Sequence, residues 1–274
     1  MALRTACLAL GAGCVSAIEP PDPSEGTPAT NDAGRGERDH ATRAPTARAP
    51  APRVDAGSPV RSLDAGAPSA RRCATPAGIE RAPRTIAEAV GLLNALPKPT
   101  SLACFVESLP RPLDVYLTSS KFSAQPAVSE ESPRIFIIEE PLFLAFVPEG
   151  VAEGLLEIGW RTSPDRAIRT EIVFPTRAAV TAELVNDHIA LTDRNSFCGN
   201  CHFGEAPAYD AFLGDRALES DVNPPNPDYE VELDGLRERA QACDPEASPR
   251  CELLDALFGH GEVRPSRAFA RGAP

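Results

Sequence analysis

Between residues 113 and 174 the chain repeats one pattern, and that pattern limits the fold more than anything else in it. Leu113, Val115 and Leu117 alternate with Asp114 and Tyr116. Ile135 to Ile138 and Leu142 to Val147 are short apolar runs, broken by Glu139, Glu140 and Pro141. Leu156, Ile158 and Trp160 alternate again, and Ile168, Thr170, Ile172 and Phe174 stand opposite Arg169, Glu171 and Val173. A period of two puts alternate side chains on opposite faces of an extended strand. Turn-rich breaks such as Val147-Pro148-Glu149-Gly150 and Ser163-Pro164-Asp165 separate the runs. With Val180, Ala182 and Leu184 read as a last strand, the pattern predicts six or seven short strands without intervening helices. That spacing predicts an antiparallel β-sandwich-like domain with Trp160 in its core.

Helical signals flank this region. Thr85-Ile86-Ala87-Glu88 has capping-box spacing, Ile86, Val90, Leu93 and Leu96 then share one face, and Pro97 stops the helix. Behind residue 202, helices are expected over Ala206 to Phe212 and over Leu233 to Ala242. Another opens at Ser248-Pro249 and ends at Gly259, with Cys251, Leu254 and Phe258 on one face. The expected fold class is therefore mainly β. A β-rich domain at 73–195 is followed by a small α-helical, cysteine-rich C-terminal region at 196–274.

The N-terminal part has another character. Arg4 precedes a small apolar run from Thr5 to Val15, and Val15-Ser16-Ala17 offers small residues for cleavage. This is the layout of a signal peptide over residues 1–17. Gly11-Ala12-Gly13-Cys14 offers a second choice, lipid attachment at Cys14 and a membrane tether through it. Residues 18–72 are rich in Pro, Ala, Gly and Arg and nearly free of large apolar side chains. Such a segment cannot offset its ordering entropy, and a disordered linker is expected. The predicted location is outside the cytoplasm, in the periplasm or anchored to the cell envelope.

Charge narrows the choice of partners. The net charge is −12; residues 1–72 hold nine basic and eight acidic residues, so the remaining 202 carry −13. A folded part this acidic argues against nucleic acid as a partner, because phosphate neutralisation needs cationic surface. It is compatible with docking onto a basic redox partner protein.

Either cleavage choice leaves Cys73, Cys104, Cys198, Cys201, Cys243 and Cys251 in the folded region. Cys198-Gly199-Asn200-Cys201-His202 is the Cys-x-x-Cys-His pattern of covalent haem attachment. Residues three apart on a helical turn share a face, so both thiols reach one side of a flat macrocycle. The histidine that follows can then ligate the iron. On these five residues, and on little else, the chain resembles the c-type cytochromes. The resemblance implies covalent haem c on Cys198 and Cys201, with His202 as the proximal ligand. Three readings compete with it: a redox dithiol, a zinc site and a pair of structural cysteines. With the motif set aside, four cysteines allow three pairings. Cys243 with Cys251, eight apart, is the expected short loop, and Cys73 would then pair with Cys104 in the first strand.

The only methionine is Met1, so a His/Met iron is excluded within the chain. Of the four histidines, His40 lies in the linker, and His188 and His260 remain as distal candidates. His260 stands between Gly259 and Gly261, where the backbone can approach a ring closely, and it is the preferred distal ligand. No Gly-x-Ser-x-Gly, Walker loop or His-Glu-x-x-His appears, and no catalytic residue is assigned. The expected function is an exported monohaem protein in electron transfer or redox sensing. The alternative is an extracytoplasmic, disulfide-stabilised binding module without haem.

Overall fold

The first two helices among the described residues are α1 (Ile86–Ala95) and α2 (Leu102–Ser108). This computed structural model describes residues 73–79 and 82–269; the expected signal peptide, Cys14, the linker and His40 lie outside the described residues. Thr85 caps α1 by accepting from the Glu88 backbone N–H, as the capping-box spacing predicts. Ser101 caps α2 in the same way. Cys104 therefore sits in a buried helix and not in a first strand.

Five strands follow: β1 (Leu113–Thr118), β2 (Arg134–Glu139), β3 (Leu142–Phe146), β4 (Leu155–Ser163) and β5 (Arg166–Val173). They coincide with the five runs between 113 and 174. The next segment departs from expectation, since Ala182–Ile189 is a helix, α3. Thr181 caps it, and Val185 and Ile189, four apart, are its buried residues. An alternation of three residues was too short to separate the two periods, and the cap decided between them.

The short strands β6 (Ala190–Thr192) and β7 (Asn195–Ser196) form a hairpin of their own. Then come β8 (Ala206–Pro207), β9 (Leu218–Asp221), α4 (Leu233–Gln241), α5 (Pro249–Phe258) and β10 (Val263–Pro265). The last two helices stand where they are predicted, with Ser248 capping α5. The helix expected over 206–212 is absent; β8 and a turn held by the Asp210 carboxylate replace it.

The strands do not make a sandwich. One mixed eight-stranded sheet runs β10-β1-β2-β3-β4-β5-β9-β8, with β1 and β10 parallel and the other pairs antiparallel. Strand periodicity shows that a face is buried but not whether strands or helices bury it. Here α1, α2, α4 and α5 share one apolar cluster with the inward residues of β1 to β5, among them Val115, Ile137, Leu144, Ile158 and Ile168. Trp160 lies on this face and is partly buried. Because β8, β9 and β10 enter the same sheet, the expected boundary at 195 does not separate two bodies; all described residues fall in one compact unit.

The other face of the sheet is divided. Tyr116, Phe136, Phe143 and Phe269 form a second apolar cluster with edge-on ring contacts. Beside it stand charged residues, Arg134 of β2, Glu157 of β4, and Arg169 and Glu171 of β5.

Both expected disulfides are present, Cys73–Cys104 and Cys243–Cys251, with sequence separations of 31 and 8. In the chain-entropy model the longer loop contributes about 3.7 kcal/mol and the shorter about 2.6 kcal/mol. Cys73→Ala/Cys104→Ala is therefore expected to lower the urea midpoint more than Cys243→Ala/Cys251→Ala. The reverse order would show that native packing around α5 outweighs loop closure.

Candidate functional site

The Cys-x-x-Cys-His segment leaves β7 as a single 3-10 turn, Phe197–Asn200. Ser196 opens it, its hydroxyl accepting from the Cys198 N–H at 3.1 Å. The N–H groups of Cys201 and His202 both donate to the Cys198 carbonyl, at 3.1 and 2.8 Å. Glu205 braces the turn from outside by accepting from the Ser196 N–H at 2.7 Å and from its hydroxyl. A Cβ at residue 199 would stand 2.6 Å from that carboxylate, so a side chain there would shift the Glu205 brace. Asn223 ties the far end, its side-chain N–H₂ donating to the Cys201 carbonyl at 2.7 Å.

Cys198 and Cys201 are not disulfide-bonded; Cys201 is exposed and Cys198 is half-buried. Burial, with Glu157 adding to it, pushes the Cys198 thiol up to about 12. Phe197 and Phe203, on either side of the motif, are 59% and 70% exposed. Cys201 thus sits at the surface and Cys198 partly beneath it, with two exposed apolar rings adjacent in sequence.

His202 is oriented by a backbone contact. Its Nδ1 lies 3.0 Å from the Asp221 carbonyl oxygen at the end of β9. A carbonyl can only accept, so Nδ1 carries the proton and Nε2 presents a lone pair. Nε2 has no hydrogen-bond partner among the described residues. Burial and then Arg169 lower the imidazole pKa, against the opposing pull of Glu157, so the ring is biased toward its neutral form.

Beneath the motif lies a buried set of charges. Register places Ala145, Glu157 and Glu171 side by side on β3, β4 and β5. The small Ala145 lets Arg134 reach across from β2, and its Nη2 meets Glu157 Oε2 at 2.5 Å. Arg169 flanks the same carboxylate, with Nε 3.7 Å from Oε1. It also donates from Nη1 to Ser220 Oγ at 2.8 Å and from Nη2 to the Asp221 carbonyl at 3.2 Å. Burial would raise the Glu157 pKa, but Arg134 and Arg169 outweigh it and hold the carboxyl below its ordinary range. Glu171 is pushed the other way, by burial and by Glu157. His188, in the last turn of α3, meets it with Nε2 3.3 Å from Oε2.

The structure brings together Cys198, Cys201 and His202 and separates them from His260. That imidazole is buried between helices, its Nε2 3.9 Å from Glu107 of α2 and 3.8 Å from Asp255 of α5. It lies on the helical side of the sheet and immediately precedes β10, whereas His202 is bonded to β9 on the charged side. Six strand spacings lie between β10 and β9, about 29 Å along the sheet. The expected pairing of His260 with His202 on one iron is not compatible with this arrangement. The Gly-His-Gly setting serves packing instead, because Gly261 has φ +137° and a Cβ there would meet the Arg111 side chain. His188 is the histidine near the motif: it pairs with Glu171, a carboxylate close enough to act on the Cys198 thiol.

Sequence reasoning passed over Arg134, Glu157, Arg169 and Glu171. The available signal was Glu157, Arg169 and Glu171 at alternate positions of β4 and β5, opposite the apolar residues. Both strands lie inside the sheet, and Glu157 and Arg169 are buried on the face away from the helices. Among the described residues no group of three or more His, Cys, Asp or Glu side chains is placed to hold a metal ion, and no helix is long and apolar enough to cross a membrane. Comparison with known protein families, curated proteins and solved structures found no match.

Proposed function

We propose that the chain is an exported c-type haem protein serving electron transfer or redox sensing. The observation that carries this reading is His202. Its Nδ1–H is tied to a backbone carbonyl and its neutral Nε2 is unengaged, the state an imidazole needs to ligate iron. Two thiols three residues apart, unpaired and on the same clamped turn, stand beside it. These residues suit haem c: Cys198 and Cys201 would carry the thioether bonds and His202 the iron. When bound, haem c would supply one-electron chemistry at the iron. The chain's own residues orient the imidazole, hold its proton at Nδ1 and keep a low-dielectric charged layer behind it. Phe197 and Phe203 offer apolar surface to a flat ring.

A thiol oxidoreductase is less well supported. The attacking sulfur in such enzymes is a thiolate with a lowered pKa, and burial drives Cys198 in the opposite direction. The second sulfur of a zinc site would be Cys201, but no further ligands join it among the described residues.

The test is the full chain exported through a c-haem maturation system. Thioethers survive unfolding, so denatured protein is expected to keep its Soret absorbance. Cys198→Ser/Cys201→Ser should abolish the covalent pigment while both disulfides remain. A colourless, folded wild-type product would overturn the proposal and leave the disulfide-stabilised extracytoplasmic module.

A further inference from the structure

The carbonyl that orients His202 has a second donor. Arg169 Nη2 lies 3.2 Å from the Asp221 oxygen, which His202 Nδ1 meets at 3.0 Å. The guanidinium is not free to swing away. Ser220 Oγ holds its Nη1 at 2.8 Å, Glu157 faces its Nε, and its side chain is 3% exposed. The N–H of the same peptide unit, that of Val222, is itself spent on the Asp165 carbonyl at 2.8 Å, which fixes the peptide on its other side. A continuous path therefore runs from Arg134 through Glu157 and Arg169 to one oxygen and on to the imidazole.

We propose that Arg169 is a positioning residue for His202: by sharing the Asp221 carbonyl it fixes the imidazole with Nδ1 engaged and Nε2 left unengaged, and it limits how strongly that imidazole can donate to a metal. The physical step is polarisation. A carbonyl oxygen has two lone pairs, and a cationic donor on one withdraws charge from the other. The Nδ1–H bond is then weaker than it would be to an unshared carbonyl, and the ring gains less imidazolate character. Outer partners of a ligating histidine set its basicity in this way. A less basic axial imidazole favours reduced over oxidised iron. The consequence for iron rests on the haem reading above; the consequence for the imidazole does not.

Two readouts on the full chain separate these claims. Without haem, the ¹⁵N resonances of His202 report which nitrogen carries the proton and how strongly Nδ1–H is bonded. With haem, the midpoint potential reports donor strength. Arg169→Gln is expected to shift Nδ1 toward a stronger hydrogen bond. It should also lower the reduction equilibrium constant about tenfold, ~59 mV for one electron. Because Arg169→Gln leaves the buried Glu157 carboxylate with Arg134 alone and can compromise folding, Ser220→Ala serves as the second variant. It removes the 2.8 Å anchor and keeps the charge, and it should move both readouts in the same direction by less.

Arg166→Gln is the control. That arginine grips the Asp221 carboxylate at 2.8 Å and carries the same charge, but it makes no hydrogen bond to the carbonyl. It is expected to leave the Nδ1 resonance in place. Equal shifts in Arg166→Gln and Arg169→Gln would overturn the proposal, because any nearby charge would then suffice. Unmoved resonances in Ser220→Ala and in folded Arg169→Gln would overturn it as well. If the chain takes up no haem, the haem reading fails alone and the nitrogen resonances still decide this one.

Discussion

Glu157→Ala is expected to cost about 3–5 kcal/mol of stability at neutral pH, measured by urea denaturation. The carboxylate lies between Arg134 and Arg169, and all three side chains are at most 12% exposed. Its removal leaves two guanidinium groups in a low-dielectric layer without a counter-charge. Desolvation of those cations, more than the lost attraction, sets the size of the effect. The expected pH dependence follows from the direction of the shift. The folded Glu157 pKa is depressed, so its contribution is present above the unfolded value of about 4.3 and is lost as pH falls through the folded pKa. Glu157→Gln should therefore flatten the acid limb of the stability curve. Glu171 has a raised pKa and acts with opposite sign. Its contribution is full below the unfolded value and fades as pH rises through the folded pKa, so Glu171→Gln should improve stability at neutral and alkaline pH relative to acid. An acid limb unchanged in Glu157→Gln would show that the carboxylate is not held by its two arginines.

Gly159→Ala is the second large effect. The Phe143 ring lies across β4 at this residue, and a Cβ built there would fall inside the ring. Register pairs Phe143 with Gly159 directly, so the glycine is the floor on which the ring rests. The strand must bend or the ring must leave its cluster with Phe136 and Tyr116. Overpacking of this kind costs about 1–3 kcal/mol or more. Phe143→Ala alone should cost about 3–5 kcal/mol by leaving a cavity. The two changes share one space, so the double variant should cost clearly less than their sum. Additive costs in thermal or urea unfolding would mean that Phe143 does not occupy the space above Gly159.

Much of the local structure was legible because it depends on near neighbours. Thr85 and Ser248 cap helices whose faces were readable at a period of 3.6, and five strands were readable at a period of 2. Both disulfides followed from an even count and from spacing. The Cys-x-x-Cys-His turn was found from its own five residues, since the bonds that close it, from Cys201 N–H and His202 N–H to the Cys198 carbonyl, lie within the motif. Where local signals were short they misled. Val180 to Leu184 looked extended until Thr181 supplied a cap, and Ala206 to Phe212 looked helical until Asp210 captured two backbone donors.

What no local pattern carried was the pairing of distant strands. Val263 returns beside Leu113, and Leu218 to Asp221 closes onto β5, across separations of 150 and about 53 residues. Those pairings made one sheet where two were expected and put His260 and His202 on opposite faces of it. They also drew Arg134, Glu157, Arg169 and the Asp221 carbonyl together under the motif, from four separate strands. The identity of the side chains proposed to hold haem was thus written in five consecutive residues. The charge behind them, the proton on Nδ1 and the loss of His260 as a partner were decided only when remote strands met. A side chain's chemistry belongs to its residue, but its electrostatic surroundings belong to whatever the fold places within a few ångströms of it.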